Sequence, residues 1–467
     1  MSILLTAPIG GATVRMYRTG GLGDCFLLAF GRADGVASYV LIDCGVFLGT
    51  PNSKERMQEV AEDIKQATGG KLDVIVATHE HWDHLSGFEY AEDIFRTITV
   101  GEVWVAWTED EQNPLARQLQ TQRKKKLHAL TAAVTRLTAA DENRGKELQN
   151  ILDFNGMAAK GEAKQMDLVR SFSETVRYCR PGQAPLQVPE VAGLKVFVLG
   201  PPEDSKLIKQ SRPRKGDIYT VASNSAELSL EMESSFYAAV EGLETAATEM
   251  PFNASFGARI AEAVASTEYN AFFDKYYGAD SDKAGMWRRI DTDWLLAAEQ
   301  LALKLDSNTN NTSLALAFEL GNGDVLLFPG DAQVGNWRSW HQVSWDKLAP
   351  PIKGPELLNR TVLYKVGHHA SENATLSSLG LELMESEKLV ALIPVDAEQA
   401  RKKSWNMPYL PLYERLLLKT KGRILRSDQE LPTKPADVPG HLWQDFEKST
   451  SQDESGRALW VQIEVNT

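Results

Sequence analysis

The segment LDVIVATHEHWDH, residues 72–84, constrains the fold more than any other stretch of the chain. It opens on a short apolar run, the pattern of a strand buried within a sheet. Immediately after that run come His79, His81, Asp83 and His84, so that three of the chain's eight histidines lie within six positions. A strand end gives a loop a rigid base, and sites in layered α/β proteins gather at such ends. The segment therefore predicts an α/β protein whose chemistry sits where this strand stops.

The flanking sequence extends the pattern. TVRMY, CFLLAF and SYVLIDCG read as strands, separated by the turn-forming TGGLGD and GRADG, and SKERMQEVAEDIKQA has helical spacing. After EVWVAW the texture becomes charged and alanine-rich over 109–190, returns to a strand in LKVFVLGPPED within 191–204, and is helical again over 205–305. Strand-turn-strand texture resumes at TSLALAFELGNGDVLLFPGD and ends in LWVQIEV. This order predicts one α/β fold made of residues 1–108, 191–204 and 306–467, split by two helical insertions at 109–190 and 205–305.

Two later motifs repeat the strand-end arrangement. VLLFPGDA closes an apolar run on Gly330 and Asp331, where the carboxylate can bridge two ions or cap the helix that follows. TVLYKVGHHAS closes another on His368 and His369, followed by Ser371. His368, directly after Gly367, is the first choice for a ligand; His369 is the alternative ligand or a proton donor to a leaving group. Mixed imidazole and carboxylate donors suit two divalent ions roughly 3.5–4 Å apart, which can activate a water and clamp the attacked and leaving oxygens. Asp24 in GLGDC reads either as a turn residue or as a member of the site, and Asn311 either as a cap or as a group near the metal edge. His128, His341 and His441 read as surface or packing residues.

Composition limits the partners. With 63 acidic and 50 basic residues the formal charge is −13, which disfavours a surface that is basic all over. Any nucleic-acid contact has to use the compact runs QRKKKLH (122–128) and KQSRPRKGD (209–217), whose default reading is a solvated helix face. No apolar stretch reaches about 18 residues and the first residues lack a signal-like pattern, so the expectation is a cytoplasmic protein without membrane contact. Cys25, Cys44 and Cys179 suggest buried thiols rather than a disulfide framework or a cysteine–zinc site.

The motif H-x-H-x-D-H at His79, His81, Asp83 and His84, with the later Gly-Asp and His motifs in order, resembles the metallo-β-lactamase-fold hydrolases. More narrowly, GLGDCFLL, YVLIDCG, THEHWDHLSG, NNTSLALAF, LLFPGDA and VGHHAS are similar to the soluble metallo-hydrolase domain of ComEC-type DNA-uptake proteins, over about 11–108 and 306–430. The resemblance implies a four-layer αββα sandwich with two divalent ions, zinc or manganese, at one edge between the sheets. It implies that His79 and His81 hold the first ion, that Asp83, His84 and His368 hold the second, that Asp331 bridges, and that Asp43 orients a ligand imidazole. Asp83 and His369 are then the catalytic candidates of a phosphodiesterase or nuclease acting on nucleic acid or another phosphodiester. The alternatives are hydrolysis of a lactam, lactone or thioester, or a binding subunit whose helical insertions take a protein partner. One departure stands out: many members of this superfamily place a further histidine in the segment where this chain has Gly200-Pro201-Pro202.

Overall fold

Strands whose residues alternate between two apolar environments dominate the computed structural model, which describes residues 4–140, 142–153, 165–214, 216–219, 236, 260–277, 293–436 and 438–467. The chain divides into two compact units, a core unit of 1–121, 152–223 and 306–467 and a second unit of 122–151 and 224–305.

In the core unit eight strands form the first sheet: β1 (Ala12–Tyr17), β2 (Cys25–Gly31), β3 (Ala37–Cys44), β4 (Lys71–Ala77), β5 (Thr99–Ala106), β6 (Val176–Cys179), and, at the chain's end, β15 (Thr450–Gln452) and β16 (Trp460–Val465). Their order across the sheet is β15-β16-β1-β2-β3-β4-β5-β6. The second sheet has six: β7 (Lys195–Gly200), β8 (Ala315–Glu319), β9 (Val325–Phe328), β12 (Thr361–Lys365), β13 (Val390–Ile393) and β14 (Ile424–Arg426), in the order β14-β13-β12-β9-β8-β7. A small hairpin of β10 (Ser344–Trp345) and β11 (Ile352–Lys353) lies apart from both.

The period of two decides the layers. Phe26, Leu28, Phe30, Val40, Ile42, Val74 and Val76 share one apolar cluster with Leu316, Phe318, Leu326 and Leu363 of the second sheet, so the two sheets pack face to face. The residues between them, Leu27, Ala29, Leu41, Ile75 and Ala77, cluster on the opposite face with Met57, Val60 and Ile64 of the helix Ser53–Ala67 and with Leu85 and Phe88 of the helix Trp82–Tyr90. Ala317, Leu327, Tyr364 and Ala391 likewise face Trp337, Leu357 and Leu416 of helices on the outer side of the second sheet. The result is the four-layer αββα arrangement of the metallo-β-lactamase fold.

The segment boundaries differ from the sequence expectation. Residues 176–179 fall in the stretch assigned to the first helical insertion, yet β6 pairs in parallel with β5 and forms the edge of the first sheet. Four residues with one buried side chain, VRYC, carry too little apolar alternation to stand out from charged surroundings. Residues 205–223, assigned to the second insertion, also belong to the core unit. The second unit contains the helices Ile260–Ala265 and Asn270–Tyr277, and its buried residues include Leu130, Ala133, Leu148 and Leu301. No helix among the described residues is long and apolar enough to cross a membrane.

Candidate metal centre

Parallel pairing brings the ends of distant strands together. Ile42 lies opposite Val76, so β3 and β4 finish side by side, with Asp43 next to the loop that carries Thr78, His79 and His81. Asp83 and His84 then occupy the first turn of the helix Trp82–Tyr90. Gly45 is required here: a Cβ on it would lie 2.4 Å from the carbonyl carbon of Asp83. In the second sheet Leu327 pairs with Tyr364 and Lys365 with Leu392, which places Asp331, the His368–His369 turn and Pro394 at one edge. Gly330 has φ +58, and a Cβ there would press on Ser313 and Thr78, at 2.9 and 3.0 Å. A hydrogen bond from Leu314 N to Thr78 O (2.9 Å) joins the two sheets at this edge.

Four imidazoles share a pattern: each has one nitrogen facing a group outside the cluster and the other turned toward the cluster. His79 Nδ1 lies 3.0 Å from Thr78 Oγ1, which itself donates to Asp43 Oδ2 and so accepts the imidazole proton. His84 Nδ1 donates to Asp43 Oδ2 at 2.8 Å, and His369 Nδ1 to the Pro394 carbonyl at 2.6 Å. His81 is turned the other way, with Nε2 3.6 Å from Asp306 Oδ1 and Nδ1 3.0 Å from His79 Nε2. The inward nitrogens of His84 and His369 lie 3.1 Å from Asp331 Oδ2 and 2.9 Å from Asp83 Oδ2. Holding the outer nitrogen fixes the tautomer and aims the inner lone pair.

The inner atoms are therefore imidazole nitrogens facing carboxylate oxygens. His79, His84 and Asp331, and again Asp83, Asp331 and His369, each offer one donor atom within 4.8 Å of the others, and Asp24, Asp43 and His84 form a third such group. Asp83 Oδ1 and Asp331 Oδ2 are buried and accept no hydrogen bond. Buried lone pairs converging in this way are costly without a cation to share, and the mixture of imidazole and carboxylate fits a divalent metal.

The electrostatics divide the histidines. Burial, then His84 and His81, keep His79 well below the usual histidine range, and burial, aided by His84 and only partly offset by Asp83, brings His81 down to about 4, so both are neutral, the form that binds metal. Burial also acts against the charged form of His84, but the carboxylates of Asp331, Asp24, Asp83 and Asp43 outweigh it and raise its pKa well above the usual range. Burial pushes Asp331 up, and His84 and Lys365 more than reverse this, holding it well below the carboxylate range.

Asp83, His79, His81, His84, Asp331 and Asp43 thus meet at one edge. So does Asp24, which pairs with Lys365 and whose Oδ2 lies 3.7 Å from His84 Nδ1. The histidine pair is ordered differently from the sequence reading. His369, not His368, joins Asp83 and Asp331 in a donor group. His368, His369 and Ala370 have φ of 45, 51 and 61°, a run that non-glycine residues rarely adopt, and Asp331 Oδ1 supports it by accepting from His368 N at 2.8 Å. That turn leaves the His368 ring on Ser371 Oγ, 2.7 Å from Nδ1, and near Gln333.

Asn311 is also placed differently. Its amide nitrogen donates to the carbonyls of Ile208 and Gln210, and its Oδ1 accepts from Asn336 N, so it braces the loop behind the metal edge rather than orienting a metal donor. Gly200–Pro202 contributes packing, with Pro201 O accepting from Trp107 Nε1 at 2.9 Å. Three residues here were not foreseen from sequence: Thr78, Lys365 and Asp306. Lys365 is 1% exposed and donates to Gly330 O and Asp331 Oδ1, at 2.9 and 3.1 Å.

Residues 18–156 match the family model of the Metallo-beta-lactamase superfamily. The match covers less than half of the chain, and it agrees with the αββα arrangement; that superfamily is made up mostly of hydrolytic enzymes. No curated protein and no solved structure matches the chain.

Proposed function

We propose that the chain is a two-ion metal-dependent phosphodiesterase or nuclease. The observation that carries the hydrolase reading is the set of inward imidazole nitrogens and carboxylate oxygens at the sheet edge, with Asp331 common to two of the donor groups. By this reading His79 and His81 would hold one ion, Asp83, His84 and His369 the other, and Asp331, shared by two donor groups, would serve both; zinc and manganese both suit such donors. Bound there, the ions would supply Lewis acidity and bring the pKa of a coordinated water toward neutrality.

The chain's own residues prepare the place. Lys365 fixes Asp331, Asp43 fixes His84, and the Pro394 carbonyl fixes His369, so little reorganisation is left for the moment of reaction. His368 is 7% exposed, against 0–1% for the other four histidines, and is the imidazole left for contact with substrate.

A basic loop favours a phosphodiester. Lys206, Lys209, Arg212 and Arg214 are exposed, and the loop that bears them is fastened by Asn311 and by Gly335 N, which donates to Gln210 O at 3.1 Å. Gly335 follows Asp331 by one short segment, so the anchored cations belong to the same region of the fold. This supplies locally the positive charge that a net charge of −13 lacks overall.

Purified full-length protein given Mn²⁺ or Zn²⁺ should cleave linear DNA, RNA or a chromogenic phosphodiester, and Asp83→Asn should abolish turnover. Reversing the four loop charges should raise KM with a shallower salt dependence while leaving kcat on a small chromogenic ester unchanged. Cleavage of a lactone or thioester with no phosphodiester turnover would overturn the substrate assignment and retain the hydrolase.

A further inference from the structure

His79, His84 and His369 are each steered by a neighbour close to them in the first sheet or at the adjoining strand end, namely Thr78, Asp43 and Pro394. His81 has its outward nitrogen toward a residue of a different origin. Asp306 stands on the last turns of the helix Asp293–Asn310, just before the strand-rich half resumes. Its Oδ2 accepts from Asn310 Nδ2 at 3.2 Å, which sets the carboxylate plane. Its Oδ1 is buried, accepts no hydrogen bond and lies 3.6 Å from His81 Nε2.

We propose that Asp306 is the positioning carboxylate of His81, holding the proton on Nε2 so that Nδ1 is free to bind the first ion beside His79. Three features bear on this. The nitrogen of His81 that faces His79 is Nδ1, so the nitrogen facing Asp306 is the one that must carry hydrogen when the other binds metal. The same division of labour holds in the three other imidazoles of the cluster. Among the described residues no lysine or arginine pairs with Asp306, so its charge is left for the imidazole and for what the imidazole binds.

The assignment also accounts for Gly200-Pro201-Pro202. Where a further histidine is missing, the first-ion half has two imidazoles, and its affinity depends more on how firmly each is aimed. Removing an orienting partner of a metal-bound histidine costs about 10- to 100-fold in metal affinity. The inference rests on the two-ion reading above, and its test separates the two.

The experiment is a zinc and cobalt titration of the full chain and of Asp306→Asn and Asp306→Ala, with bound metal counted by elemental analysis. Nitrogen-15 spectra of labelled histidine, assigned through His81→Gln, report the His81 tautomer. The expected result is two ions in the wild type, a drop of about 10- to 100-fold for one of them in both variants, an altered cobalt absorption for that ion alone, and loss of the Nε2–H signature of His81. Asp306→Asn keeps the shape and the Asn310 contact, and folding is checked by circular dichroism. Wild type that binds no metal overturns the two-ion reading together with this inference. Two tight ions and an unchanged His81 signature in folded Asp306→Asn overturn the inference alone. Loss of the ion with the tautomer unchanged also overturns it, because Asp306 would then be a direct ligand.

Discussion

The ammonium of Lys365 lies 3.1 Å from Asp331 Oδ1, and both groups are buried beneath the donor cluster. Lys365 also pairs with Asp24, so one cation neutralises two carboxylates that come from different sheets. Its pKa is raised: burial opposes its charge, but Asp24 and Asp331 outweigh burial. Lys365→Met would leave two buried carboxylates without their cation. Breaking a buried pair in this way costs about 3–5 kcal/mol. Denaturant unfolding in the presence of a chelator should show a loss of that order; an unchanged midpoint would mean that the pair merely fills space.

Asp43 accepts three hydrogen bonds, from Thr78 N at 2.8 Å, Thr78 Oγ1 at 2.7 Å and His84 Nδ1 at 2.8 Å. In Asp43→Asn one oxygen becomes an NH₂ group; Thr78 N donates to Oδ1 and keeps the remaining oxygen there, so the amide hydrogens take the place of Oδ2, facing Thr78 Oγ1 and His84 Nδ1. The imidazole then has to move its proton to Nε2, the nitrogen meant for metal. Affinity for one ion should fall about 10- to 100-fold, measured by competition with a zinc indicator. Thr78→Val keeps the carboxylate and should weaken binding less, a ranking that reversed values would contradict.

The motifs that could be read in the sequence are those in which strand and donors are contiguous. VIVATHEHWDH, VLLFPGDA and VGHHAS each carry an apolar run and its terminal polar residues in one stretch, and their meeting at one edge follows from parallel pairing. Lys365 was not legible, because a lysine that ends an apolar run reads as a residue reaching solvent; its burial depends on Asp24 and Asp331, which other strands deliver. Asp306 lies in LKLDSNTNN, where a carboxylate near a helix end looks like an exposed one. The choice between His368 and His369 depended on backbone φ values that no glycine announces. Segments 109–190 and 205–305 were read as insertions by their charge, which hid the short β6.

The order of that histidine pair gives a direct comparison. His369 Nε2 lies 2.9 Å from Asp83 Oδ2, whereas the His368 ring is held by Ser371 and Gln333. His369→Ala should therefore lose one bound ion by elemental analysis, and His368→Ala should retain both while lowering kcat. Loss of metal from His368→Ala, with His369→Ala unaffected, would restore the ligand order that the sequence suggested.

Glu109 supplies a pH dependence independent of any metal. It follows β5, is 6% exposed, and its carboxyl is raised to about 7, chiefly by burial, with the cation of Arg170 offsetting part of the rise. Because the folded state binds this proton more tightly than the unfolded state, stability is highest when the proton is on in both. Stability then declines as pH rises from about 4.5 to about 7 and levels off beyond. At about 1.4 kcal/mol per pKa unit the whole decline is on the order of 3 kcal/mol. Glu109→Gln holds a neutral group in the same place and should remove it. Urea unfolding at pH 5 and pH 8 should find the variant close to wild type at the lower pH and more stable at the higher. A variant less stable than wild type at pH 8 would show instead that the Arg170 pair stabilises the ionised form.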